Sequence, residues 1–232
     1  MSVGKPNICS LGMMSNIRVC LETPWLLHVL GKLRDERTNR ADFRKYSELI
    51  GDYLVMEAFN SGFIPIETGL RINTPTGRFI DSGVALRRPE SIMAVSVVRA
   101  GNAFINSVTR LISSDLQVGQ LVIQRDEETA LPKTLLKKLP RDISSADCVI
   151  VLDPMLATGG SIIAAVDVLI AYGVSVDRIV LLHAFGCPEG IAAVQAAFPG
   201  IKAVVAVKDS HLNERKYIIP GLGDFGDRFY CD

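Results

Sequence analysis

Thr158-Gly159-Gly160-Ser161 sets two hydroxyls beside two residues that lack a Cβ. Glycine lets a backbone come close to a ligand and hydroxyls add donors, so the tetrad suits a phosphate. Asp153, a short loop upstream, is a carboxylate able to accept hydrogen bonds from sugar hydroxyls beside that phosphate. A GxxxxGK[ST] loop would need a Lys that is absent here, so a single phosphate rather than a triphosphate chain is expected. Near the end, Gly221-Leu222-Gly223-Asp224-Phe225-Gly226 matches GxGxxG. As a dinucleotide fingerprint that motif needs a following helix, another strand and an acid about 20 positions on, and only residues 227–232 follow. No nicotinamide cofactor is expected. The same glycines suit a backbone that lies close to a flat ligand, with Asp224 and Phe225 as its polar and aromatic parts.

These residues need a scaffold. Val149-Ile150-Val151-Leu152, stopped by Asp153-Pro154, reads as a strand buried on both faces of a parallel sheet. Ile162, Ile163, Val166, Leu169 and Ile170 follow at helical spacing, with Gly173 as the stop. The tetrad therefore opens a helix, where unpaired N–H groups and the macrodipole favour an anion. Ile92–Val98 and Gln120–Gln124 read as strands joined by a helix from about Asn102 to Ile112, a right-handed βαβ unit. That brings Arg99 and Arg125 to strand ends on the edge that holds Asp153. Arg178–Ala184, Pro188–Phe198 and Ile201–Val207 continue the strand–helix alternation. Upstream, Trp25–Arg37 and Phe43–Phe59 read as helices, and Ile66–Ile72 with Arg78–Ile80 as a hairpin. Residues 1–22 read as a weakly structured arm, and 125–139 as a solvated loop long enough to be a lid. His28 reads as a packed helix histidine and Asp227-Arg228 as a local ion pair.

Four blocks, in order, resemble the uracil phosphoribosyltransferases, a branch of the type I phosphoribosyltransferase family. Asp153-Pro154-Met155-Leu156-Ala157-Thr158-Gly159-Gly160-Ser161 resembles the loop for 5-phosphoribosyl 1-pyrophosphate (PRPP), and Val98–Gly101 the pyrophosphate loop. Gln124–Thr129 resembles the base of a mobile hairpin, and Tyr217–Arg228 the uracil segment, whose Gly-Asp-Phe is more like the eukaryotic branch. The resemblance implies an α/β fold, a mainly parallel Rossmann-like sheet flanked by helices, in a single domain spanning 1–232. Within it, 125–139 would be a β-hairpin lid and 208–232 the uracil-binding segment. It implies the reaction uracil + PRPP → UMP + pyrophosphate, in pyrimidine salvage. Asp153, Arg125 and Asp224 would be catalytic. Arg99, Arg125, Asp224 and Asp153 to Ser161, including Pro154, Met155, Leu156 and Ala157, would bind PRPP; Ile218, Gly223, Asp224 and Phe225 would bind uracil. It further implies Mg²⁺ carried mainly by the pyrophosphate rather than by a protein metal site, a homodimer or homotetramer, and GTP as an activator. Asn102-Ala103-Phe104 and Gly186-Cys187 depart from the family pattern. Two other readings stay open: a PRPP- or UMP-sensing protein of the same fold without turnover, and a transferase for another base.

Composition narrows the partners. With 25 basic and 25 acidic residues the chain is neutral overall, which points away from nucleic acid and membrane surfaces. No apolar run approaches the roughly 18 residues of a membrane span. Five cysteines without CxxC spacing suit free thiols in a reducing compartment. The first residues lack a targeting pattern, so the cytoplasm is expected.

Overall fold

The computed structural model describes residues 16–125 and 132–231, without the side chains of Arg125, Pro132 and Lys133. Strand β1 (Ile17–Val19) leads into helices α1 (Pro24–Arg34) and α2 (Arg40–Asn60). Thr23 and Asn39 cap these helices by accepting the N–H groups of Leu26 and Asp42, as short polar residues at that position do. A separate antiparallel hairpin follows, β2 (Ile66–Asn73) with β3 (Phe79–Leu86). Next come β4 (Ile92–Val98), a 3-10 turn over Ala100–Phe104, α3 (Ile105–Leu111), β5 (Gln117–Arg125) and β6 (Pro132–Lys138). The second half holds β7 (Cys148–Leu152), β8 (Met155–Leu156), α4 (Gly160–Ala171), β9 (Ile179–Gly186), α5 (Pro188–Ala197) and β10 (Lys202–Lys208). A small hairpin, β11 (His211–Leu212) with β12 (Ile218–Ile219), and helix α6 (Phe225–Tyr230) complete the chain.

The main sheet runs β1-β10-β9-β7-β4-β5-β6, with β8 attached to β9. Every pairing in it is parallel except β5 with β6. Both faces are covered, which explains the unbroken apolar run of β7. Ile150 and Leu152 pack into a core with Phe43, Phe104 and Phe185, while Val149 and Val151 face the opposite core with Ile162, Val166 and Leu169. Each such side chain contributes about 1.5–3 kcal/mol by leaving water. The sheet is thereby a rigid plane, and the carboxyl ends of β4, β5 and β7 present Arg99, Arg125 and Asp153 along one edge.

Two expectations need correcting. Residues 17–19 are not part of a loose arm but form the edge strand beside β10, with Ile17 opposite Ala203. Three residues are too few to show a period, and their partner lies far along the chain. For residues 132–138 the solvated-loop reading of the composition gives way to the hairpin that the family resemblance implies: they form an antiparallel edge strand on β5, with Gln120 opposite Lys138. Lysines guard exposed sheet edges from further pairing, and here Lys133, Lys137 and Lys138 obscure the strand signal. The rest of the expected lid, residues 126–131, lies outside the described residues.

Candidate active site

The tetrad opens α4 as its composition demands. Gly159, at φ +81°, is the residue before the helix and occupies a region that L side chains rarely adopt. Thr158 Oγ1 accepts the Gly160 N–H at 3.4 Å. The N–H groups of the first helical turn, starting at Gly160, point out of the helix end and suit an anion. Behind this loop Gly101 fits against the sheet: a Cβ there would lie 2.1 Å from the Leu152 carbonyl oxygen. Ser96, buried in β4, donates to Asn102 Oδ1 at 2.7 Å. The unfamiliar Asn102 thus ties the turn after β4 to its strand.

Asp153 is buried at the end of β7, with 8% of its surface exposed. Burial raises its carboxyl from 3.8 to about 7, opposed by a single hydrogen bond from the Met155 N–H. Beneath it lies His183, fully buried in β9, whose Nδ1 is 2.6 Å from the Asp153 carbonyl oxygen. A carbonyl has no proton to give, so Nδ1 carries the hydrogen. Burial lowers the imidazole to about 4, and the ring stays neutral.

The carboxyl-terminal segment is held by two arginines, Arg34 from α1 and its own Arg228. Arg34 of α1 pairs with Asp209 through both terminal nitrogens, at 2.9 and 2.5 Å, and donates to the Gly221 carbonyl at 2.8 Å. Asp209 accepts the Gly221 N–H at 3.0 Å. Arg228 donates to the carbonyls of Leu33, Leu222 and Asp35 and lies over the Phe43 ring. Asp227 instead binds Arg99 at 2.7 Å. The expected Asp227-Arg228 ion pair is therefore wrong: the two side chains serve different partners, which adjacency in sequence does not reveal. Asp224 caps α6 by accepting the Asp227 N–H at 2.8 Å through Oδ1. Phe225 is buried against Phe43, ring centroids 5.2 Å apart. His28 is exposed on α1 rather than packed, edge-on to Tyr46 of α2, and does not line the cavity that these residues form.

A cavity of about 430 Å³ gathers most of the predicted site residues. Arg99, Asp153, Met155, Ala157, Ser161, Ile218, Gly223, Asp224 and Phe225 all line it. A neighbouring recess of about 40 Å³ shares Asp153 and Ser161 and adds Leu156, Thr158 and Gly159. Pro154 and Gly160 line neither. Arg125 ends β5 on the same sheet edge, but its side chain lies outside the described structure. Sequence reasoning missed Arg215 and Lys216, which bring two further cations to the wall. The only local signal was a charged turn just before Tyr217. Among the described residues no cluster of three or more His, Cys, Asp or Glu could hold a metal. The carboxylates lining the larger cavity are Asp153 and Asp224. The four described cysteines, Cys20, Cys148, Cys187 and Cys231, are free thiols, and no described helix is long and apolar enough to cross a membrane.

The family model described as uracil phosphoribosyltransferase matches residues 20–231. The uracil phosphoribosyltransferase of Saccharomyces cerevisiae is 43% identical over 216 residues, covering 93% of this chain and 96% of its own. A solved structure from Aquifex aeolicus, 31% identical, superposes with a TM-score of 0.77 over 92% of this chain and 97% of its own. An adenine phosphoribosyltransferase from Trypanosoma brucei shares the fold at TM-score 0.52 over 84% of this chain and 85% of its own, with 11% identity.

Proposed function

The chain belongs to the uracil phosphoribosyltransferase family, and we infer that it transfers the phosphoribosyl group of PRPP to uracil, giving UMP and pyrophosphate in pyrimidine salvage. The observation that carries this reading is the convergence, in one cavity and the recess that adjoins it, of a phosphate-type loop with a glycine-rich segment and three cations.

In the reaction the C1–oxygen bond to pyrophosphate breaks, the C1–N1 bond to uracil forms, and the N1 proton of uracil leaves. The sugar passes through an oxocarbenium-like state, so the protein's work is to align the base and stabilise the leaving group rather than supply a covalent nucleophile. In our assignment the N–H groups and hydroxyls of Thr158–Ser161 hold the 5-phosphate, and Asp153 accepts from the ribose hydroxyls. Arg99 exchanges the exposed, solvent-screened Asp227 carboxylate for the pyrophosphate, assisted by Arg125, Arg215 and Lys216. Backbone groups of Ile218 and Gly223–Phe225 read the uracil edge, and Asp224 stands beside the reacting base.

Mg²⁺ belongs to this proposal as a passenger of PRPP. The cavity offers a hard cation only the oxygens of two carboxylates, Asp153 and Asp224, which fits an ion held mostly by the substrate. When bound, it neutralises charge on the departing pyrophosphate. The family resemblance extends the proposal to a cytoplasmic homodimer or homotetramer activated by GTP, to be checked by sedimentation and by rate against GTP concentration.

The test is PRPP-dependent nucleotide formation from uracil, cytosine, hypoxanthine and adenine. Uracil presents a donor at N3 and an acceptor at O4, and cytosine reverses both. Fixed backbone partners cannot rotate to suit, and sites of this kind discriminate by about 10⁴–10⁵. UMP from uracil alone is expected. Comparable turnover of cytosine refutes backbone reading, and binding of PRPP without turnover of any base refutes the enzyme.

A further inference from the structure

The loop that follows Asp153 is held from behind by one stretch of chain, residues 183–187. The N–H groups of Ala184 and Phe185 donate to the Pro154 carbonyl at 3.0 and 2.9 Å, and that of Cys187 to the Leu156 carbonyl at 3.2 Å. Two side chains complete the set. His183 Nδ1 meets the Asp153 carbonyl, and the Cys187 thiol donates to the Ala157 carbonyl at 3.0 Å. Both side chains belong to buried residues. Four of the five carbonyls between Asp153 and Ala157 are therefore drawn toward β9 and α5.

That orientation has a physical consequence. A peptide that turns its carbonyl one way turns its N–H the other, and a carbonyl oxygen facing a phosphate oxygen is repelled by it. Holding these carbonyls behind the loop keeps their oxygens off the anion's side. The Asp153–Pro154 peptide has no N–H to offer and that of Met155 goes to the Asp153 carboxyl, so the gain there is the removal of a repelling oxygen rather than a new donor. The first turn of α5 approaches closely enough only because residue 190 is glycine: a Cβ there would lie 2.3 Å from the Ala157 oxygen and 2.7 Å from that of Leu156. His183 Nε2 is buried and makes no hydrogen bond among the described residues. A purely packing role would be served better by an apolar side chain than by a ring with an unpaired acceptor.

We propose that Cys187 and His183 are positioning residues for the PRPP site, fixing the phosphate loop by holding the Ala157 and Asp153 carbonyls away from the 5-phosphate. The proposal rests on the assignment of Thr158–Ser161 to that phosphate. Its test uses ribose 5-phosphate, which carries the phosphate without pyrophosphate or base, as the calorimetric probe. Cys187→Ala removes the thiol donor, Cys187→Val removes it with a slightly larger apolar side chain that leaves no void, and Cys187→Ser keeps a donor. Loss of one such hydrogen bond is expected to weaken ribose 5-phosphate and raise KM for PRPP about 3- to 10-fold in the Ala and Val variants. KM for uracil should stay within about twofold, and Ser should recover most of the loss. Unchanged ribose 5-phosphate affinity in whichever of the Ala and Val variants folds, a Ser variant as weak as Ala, or a parallel rise in both KM values overturns the proposal. Failure of the wild-type protein to bind ribose 5-phosphate removes the loop assignment itself, and the proposal with it.

Discussion

Asp153→Asn separates what the site needs from what the fold prefers. The carboxyl is raised from 3.8 to about 7 by burial, so between these values the folded protein keeps a proton that the unfolded chain has released. The contribution of Asp153 to stability is thus fully present below 3.8 and is lost as pH rises through 7. A shift of roughly three units sets a ceiling of about 4 kcal/mol on that loss. Asparagine does not titrate, but its amide brings two donors that need partners, at a cost of about 1–3 kcal/mol. The variant should therefore be more stable than wild type at pH 8, by about 1–3 kcal/mol in urea denaturation. That advantage should shrink by about 3 kcal/mol between pH 8 and pH 4.5. Activity should move the other way. Losing a charge-assisted acceptor for the ribose hydroxyls is worth about 1.5–3 kcal/mol, or roughly 10–150-fold in kcat/KM for PRPP. A stability difference independent of pH would refute the burial argument, and wild-type kinetics would remove Asp153 from the site.

Three more substitutions probe the frame around the cavity. Gly101→Ala drives a methyl to 2.1 Å from the Leu152 carbonyl and should cost about 3 kcal/mol or more, read as a lowered Tm; an unchanged Tm would refute the close packing behind the loop. At Gly223 an added Cβ meets no neighbour, but φ is +85°, so Gly223→Val carries a conformational cost of about 1–2 kcal/mol. Its expected result is loss of uracil use while calorimetry still detects PRPP. Asp209→Ala strips Arg34 and the Gly221 N–H of a largely buried partner and should raise KM for uracil about tenfold with KM for PRPP unchanged, since the segment it anchors carries Ile218 and Gly223. Equal effects on both substrates would argue against a local role.

The sequence by itself determined the central strand, the phosphate-type loop and the alternation of strands and helices. Those features are local: an apolar run, two glycines between hydroxyls and a helical period can each be read without knowing what lies opposite. It also brought Asp153, Arg99 and Arg125 to one edge, because parallel strands share a direction. Tertiary structure decided what faces what. Only folding pairs Ile17 with Ala203, Arg99 with Asp227, and Arg228 with carbonyls of Leu33 and Asp35. No local pattern encodes these contacts, since each joins segments more than a hundred residues apart. The same holds for the chemistry of Asp153. Its carboxylate was legible as a ribose acceptor, but the burial that lifts it to about 7 comes from the whole packed sheet edge, which exists only once β7, β9 and their flanking helices have assembled around it.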